Sequence, residues 1–178
     1  MIRKGGGSLA LKNKWKKTKW LLSDRTLRRF VPETKLFNSS SLADMTKRYK
    51  MVYFKPTRGT GGNGIARITR IRGKAFRFKI NERTAEASSV QSLFGKLKKI
   101  ARGRSYMLQR GIHLQTARGR PFDFRAMVQK SRRGKWVSTA VFVKLGKRNK
   151  VVTNYHQGGK LALAEPTLRS AGYNEAQI

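Results

Sequence analysis

The sequence predicts a mixed α+β fold built on antiparallel sheet with flanking helices, and three observations carry that expectation. The run Phe122-Asp123-Phe124-Arg125-Ala126-Met127-Val128-Gln129 alternates without a break, placing Phe122, Phe124, Ala126 and Val128 on one face and Asp123, Arg125, Met127 and Gln129 on the other, the two-residue period of a strand. Val90, Leu93, Phe94, Leu97 and Ile100 recur at helical spacing, giving one apolar stripe. Short extended runs are separated by glycine turns at Gly73 and Arg133-Gly134, as antiparallel hairpins require.

Taken in order, residues 1–12 read as a basic arm, with only Ile2, Leu9 and Leu11 able to anchor it. Trp15 and Trp20 read first as core anchors and second as faces on which bases could stack. Ser23 is placed to cap a short helix carrying Leu27 and Phe30 and ended by Pro32. Ser41-Leu42-Ala43-Asp44 has the form of a capping box opening a second helix towards Tyr49. Met51 to Lys55 is an apolar strand stopped by Pro56. A second strand is expected near Ile65 from context, since Ile65, Ile68 and Ile71 taken alone fit a helix. Phe76, Phe78 and Ile80 alternate with Arg77 and Lys79 as a third. A helix then runs from Ser88 to Arg102, followed by a short strand at Tyr106–Ile112 and the long hairpin of Phe122–Gln129 with Lys135–Leu145. Glu165 to Arg169 reads as loop and a short helix.

Composition narrows function. The 178 residues include 42 Lys or Arg and 8 Asp or Glu, a formal charge of +34, which makes an ordinary neutral metabolic enzyme a poor expectation and a polyanion a good partner. Hydrophobic content of 38% with nine Phe, five Tyr and three Trp is too high for a disordered polybasic tail. No cysteine is present, which excludes thiolate catalysis and cysteine-held metal. No apolar run suits a signal peptide or a membrane span, so a soluble protein of the cytoplasm is expected. His113 and His156 read as structural residues. The carboxylates are too dispersed for a paired-carboxylate hydrolase, no nucleophile elbow is visible, and neither a catalytic residue nor a metal ligand is assigned.

The stretch with most chemical content is Lys55-Pro56-Thr57-Arg58-Gly59-Thr60-Gly61-Gly62-Asn63-Gly64-Ile65. Glycines spaced this closely after a strand let backbone N–H groups turn towards an anion. The pattern is neither a P-loop nor a dinucleotide fingerprint. It resembles the strand, lysine and flexible glycine loop of ATP-grasp enzymes. The chain as a whole is similar to their endospore-associated YheC/YheD branch, through Trp15–Lys19 with Leu27–Thr34, Tyr49–Ile68, Tyr106–Leu114, Gly119–Gln129 and Thr153–Lys160 in the family's order.

That resemblance implies an ATP-grasp-like antiparallel or mixed sheet over 13–178, and ATP as the nucleotide. Lys55 would contact its phosphates and Gly59, Gly61, Gly62 and Gly64 would close over them. Gln109, Arg110 and Ile112 would border the adenine, Arg125 would face the triphosphate, and Asn154, Gly158 and Gly159 would border an acceptor substrate. The implied chemistry is acyl-phosphate formation followed by attack of an amine.

The chain departs from the family in one respect. The carboxylate and asparagine pattern that holds magnesium has no counterpart after Gly159, so the expectation is of a C-terminally truncated ATP-grasp domain in which this chain alone does not support magnesium. Two readings follow. One is a non-catalytic, ATP-grasp-derived binder of nucleic acid, with structured RNA or a ribonucleoprotein such as the ribosome as partner and residual nucleotide binding. Its contacts would come from Lys12, Lys14, Trp15, Lys16, Lys17, Lys19, Arg58, Arg132, Arg133, Lys147, Arg148 and Lys150. The other is a carboxylate–amine ligase completed by further residues or a partner. Packaging of an anionic polymer in a spore shares the physics of the first.

Overall fold

The structure, a computed structural model, describes residues 13–73, 75–148 and 158–178. The domain expected over 13–178 is built from two compact units that divide between Gly111 and Ile112. The basic arm expected at 1–12, together with Lys12, Lys150 and Asn154, lies outside the described residues.

The first unit opens with helix α1, Lys14–Ser23, where Asn13 Oδ1 accepts the N–H of Lys16 at 3.0 Å. The sequence did not suggest this helix, because its basic and apolar residues share no face and Thr18 is its one buried residue. The helix expected after Ser23 is a single 3₁₀ turn, Arg28–Phe30. Asp24 is extended and its carboxylate takes the N–H groups of Thr26 and Leu27, both at 2.8 Å, so a side-chain turn replaces the helix. Trp20, read as a core anchor, is 62% exposed.

Strand β1 is Thr34–Leu36 and helix α2 is Ser39–Arg48. The cap of α2 is Asn38, accepting from Ser41 N at 2.7 Å, and not Ser41. The helix begins two residues before Ser41, and Asp44 turns instead to Lys35 and Arg48. Strands β2 (Met51–Pro56), β3 (Ala66–Arg70), β4 (Phe76–Ile80) and β5 (Arg83–Ala87) follow, then helix α3 (Val90–Ala101) and strand β6 (Tyr106–Arg110). Context was the right guide at Ile65, since Ala66 and Ile68 are buried strand residues. The edge strand β5 gave no signal because four of its five residues are exposed.

All pairings are antiparallel and the strand order is β1-β6-β2-β3-β4-β5. The core is the face bearing Val52, Phe54, Ile68, Phe76, Phe78 and Leu108, covered by Leu42 and Met45 of α2 and Leu93, Leu97 and Ala101 of α3. Phe54 stacks on Tyr106 with ring centroids 4.1 Å apart. Burying a side chain of this size contributes about 1.5–3 kcal/mol, so these packed rings fix the strands that carry the site.

The second unit contains β7 (Thr116–Ala117), β8 (Arg120–Lys130), β9 (Trp136–Leu145), β10 (Lys160–Ala162) and helix α4 (Ala164–Ser170). Its order is β10-β9-β8-β7. Its core is small: Ala117, Phe122 and Val143 are buried, and Leu145, Ala162 and Leu168 pack against them. The expected hairpin is present, but its alternation breaks at a bulge. Met127 faces Ala140 while Val128 faces Ser138, which leaves Thr139 unpaired and shifts the following residues to the other face.

Candidate functional site

Because strand residues alternate, Tyr53 and Lys55 of β2 stand on the face away from the core occupied by Val52 and Phe54. Gln109 of β6 lies opposite Tyr53 in the register, and Arg67 of β3 lies on Tyr53's other side. Lys55 Nζ donates to Gln109 Oε1 at 2.7 Å, and Gln109 Nε2 donates to Thr34 Oγ1 at 2.9 Å. Lys55 Nζ also sits 5.0 Å from the centre of the Tyr53 ring. Lysine, glutamine and tyrosine thus form one half-buried shelf.

The glycine loop begins at the edge of that shelf. Buried Thr57 anchors its root, donating from N and Oγ1 to Ser105 O at 3.0 and 3.1 Å. Gly59, Gly61, Gly62 and Gly64 all have positive φ, from +69° to +123°, a backbone that residues with a Cβ adopt only at a cost. At Gly64 a Cβ would lie 2.9 Å from Tyr106 Oη, so the loop returns to the sheet in close contact with the core.

Helix α1 closes the site from a third side. Lys14 N donates to Thr57 O at 2.7 Å, Asn13 bridges to Arg58, and Lys14 Nζ donates to Gly59 O at 2.6 Å. Two lysines therefore converge on the loop. Burial pushes the Lys55 ammonium down to about 8, helped by the positive charge of Lys14, and burial with the charge of Lys17 lowers Lys14. Like charges brought together without a carboxylate are destabilised until an anion arrives. Lys14 stood among the expected polyanion contacts, and no local signal ties it to a loop 45 residues away.

The other expected residues divide as follows. Arg110 lies next to Gln109 in the chain, so its side chain takes the opposite face of the strand. Its guanidinium lies 5.3 Å from the Tyr49 ring, beside Glu33 and Arg48, and is not brought to Lys55. In the second unit, Ile112 is 54% exposed, and Arg125 Nε donates to Asp123 Oδ1 at 2.6 Å. Gly158 is a turn residue with φ of +82° and Gly159 is buried. Of the expected nucleic-acid contacts, Lys16, Lys17, Lys19 and Arg58 are exposed on the first unit, where Lys14 and Trp15 are half-buried. Arg132, Arg133, Lys147 and Arg148 are exposed on the second, and Arg148 Nη2 donates to Arg118 O at 2.8 Å.

The donor set fits a nucleotide's phosphates: a left-handed glycine backbone with two ammonium groups beside it. It does not fit magnesium. Among the described residues no three acidic or histidine side chains are grouped as a metal would require. Glu33 and Asp44 pair with Arg48, Glu86 with Arg77, Asp123 with Arg125, and Glu165 and Glu175 with Arg169.

A family profile described as YheC/D like ATP-grasp matches residues 8–178. The endospore coat-associated protein YheD of Bacillus subtilis (strain 168) is 33% identical over 159 residues, which is 86% of this chain and 35% of that protein. The chain thus spans about a third of the length of this curated relative.

Proposed function

The chain belongs to the YheC/D-like ATP-grasp family, and from that premise we propose that its first unit binds the phosphates of ATP at the glycine loop. One observation carries the reading: Lys55 and Lys14 converge on a loop of positive-φ glycines, and neither ammonium is neutralised by a carboxylate among the described residues. The triphosphate supplies the negative charge that both lysines lack. Gln109 orients Lys55, the Tyr53 ring gives its ammonium an electron-rich face, and Thr57 holds the loop root in place. The described carboxylates do not gather at this site, so the proposal is one of binding and includes no transfer step. Titration calorimetry with ATP tests it: wild type should bind, Lys55→Ala should bind at least tenfold more weakly, as loss of a charge-assisted hydrogen bond implies, and equal binding by both would overturn it.

A second reading is favoured by a separate observation. The charge of +34 far exceeds what one nucleotide needs, and Lys16, Lys17 and Lys19 of α1 and Arg58 next to the loop root are exposed. We propose that this surface holds nucleic acid through its phosphates, with an affinity that falls steeply between roughly 50 and 200 mM salt; absence of binding at the lower salt would overturn that reading. Association with the spore coat, taken from the name of the relative, is proposed for this chain too, and a fluorescent fusion that fails to localise to spores would refute it.

A further inference from the structure

The outer part of the β8–β9 hairpin stands apart from the sheet that supports its base. Strand β7 reaches only Arg120 and Pro121, and β10 reaches only Val143 to Leu145. From Phe124 on β8 to Val141 on β9, every residue is exposed except half-buried Ser131. Arg125 to Lys130 alone extends about 20 Å. Among the described residues this ribbon has no third strand and no packed face, and such a ribbon is marginal by itself, so this one is suited to gain stability from what it binds.

Its tip has a definite chemistry. Ser131 N donates to Lys135 O at 2.8 Å and Gly134 N to Ser131 O at 2.9 Å, with Gly134 at φ of +73°. This ordered turn presents Lys130, Arg132, Arg133 and Lys135 within six residues, and none of them makes an ion pair among the described residues. Trp136 follows, 67% exposed, with Lys130 Nζ 5.4 Å from its ring centre. The sequence has no acidic residue between Asp123 and Glu165. An exposed indole beside four exposed cations matches a nucleotide strand whose bases are free to stack and whose phosphates lie alongside. A fully paired duplex hides its base faces and offers the indole nothing. Folded RNA displays unpaired bases in loops and bulges.

We propose that the tip of this hairpin, residues 130–136, is a contact arm for unpaired nucleotides of RNA, with Trp136 stacking on a base and Arg132 and Arg133 on the flanking phosphates. The assignment rests on the nucleic-acid reading above and locates it on one element. The test is fluorescence anisotropy with a labelled uridylate 12-mer, a thymidylate 12-mer and a blunt duplex of the same length, over a series of salt concentrations. Wild type should bind the uridylate more tightly than the duplex. Trp136→Ala should weaken that binding by about tenfold. Arg132→Ala with Arg133→Ala should make the plot of log affinity against log salt shallower by about 1.4, two phosphates on a single strand.

All three substituted residues are exposed, and circular dichroism should show unchanged folding. If wild type binds and neither variant differs from it, the arm is wrong while the nucleic-acid reading stands. If wild type binds nothing at low salt, both fall. A duplex bound as tightly as the uridylate would overturn stacking on unpaired bases, and a thymidylate bound tenfold more tightly would overturn RNA as the source.

Discussion

Lys55 makes the nucleotide reading testable by pH alone. Its ammonium is pushed down to about 8 by burial and by Lys14, against about 10.4 for an unperturbed lysine. The sign is set by which state holds the proton. Between about pH 8 and 10.4 the unfolded chain binds more protons than the folded one, so stability rises with pH across that window. Below pH 8 the charged, buried ammonium is a full cost to the fold.

A bound triphosphate reverses that cost, because it favours the charged form. Lys55 is about 90% protonated at pH 7 and about 10% at pH 9, which follows from a value of about 8. If the bound state is fully protonated, ATP affinity falls about tenfold between those two pH values, with uptake of about 0.9 proton per ATP at pH 9. Calorimetry in buffers of different ionisation enthalpy reads both quantities. Lys55→Arg, whose guanidinium stays charged, should bind ATP without this decline. An affinity that is flat in the wild type, or that falls equally in Lys55→Arg, would refute the assignment of the phosphate contact to Lys55.

The loop glycines separate backbone strain from crowding. Gly61→Ala meets nothing closer than Asn63 Nδ2 at 3.8 Å, whereas Gly64→Ala places its Cβ 2.9 Å from Tyr106 Oη; both positions have φ near +70°. Since Tyr106 is buried against Phe54, Gly64→Ala should cost about 1–3 kcal/mol more in urea unfolding than Gly61→Ala, and equal costs would show that Tyr106 yields. Lys14→Gln should weaken ATP binding and speed amide exchange at 58–64, since its side chain holds Gly59 O; unchanged exchange would mean that the loop does not depend on α1. Glu33 and Asp44 are held well below the usual carboxylate range by hydrogen bonds from Arg48, with Tyr49 and Lys35 adding to the effect. Their contribution is present above about pH 4 and is lost as pH falls through their lowered values, so Arg48→Ala should flatten the acid side of the stability curve measured by thermal unfolding.

Elements with a strong period were legible in the sequence: the apolar stripe of α3, the alternation of β4 and β8, and the strand and glycine loop from Met51 to Gly64. Elements held by exposed or distant contacts were not. Helix α1 buries only Thr18 and is held through Lys14 to Thr57 and Gly59, a contact that no local window contains. The bulge at Met127 and Val128 is invisible to a pattern that alternates through it. In the site, Lys55 and the glycines were legible as a phosphate-type stretch, Gln109 was reached by resemblance, and the structure sets Gln109 against Lys55. Arg110 is not set there, because neighbours on a strand point to opposite faces, and a motif read as consecutive letters ignores that alternation.

The few carboxylates explain why the lysines are placed as they are. In the described chain seven of the eight acids close local contacts, Asp123 with Arg125 among them. Glu33 and Asp44 clasp Arg48 and Lys35 between β1 and α2, Glu86 pairs across the hairpin with Arg77, Asp24 turns back on its own backbone, and Glu165 and Glu175 share Arg169. None of these lies against Lys14 or Lys55. A carboxylate beside Lys55 would raise its proton affinity and have to be displaced before a phosphate could bind. Spending the acids elsewhere leaves the two lysines repelling each other in the free protein, and that repulsion becomes binding energy when an anion occupies the loop. The same scarcity leaves Arg132, Arg133 and Lys135 at the hairpin tip without an ion pair among the described residues. Within the described chain, then, the positions of the acids decide which cations can bind a ligand.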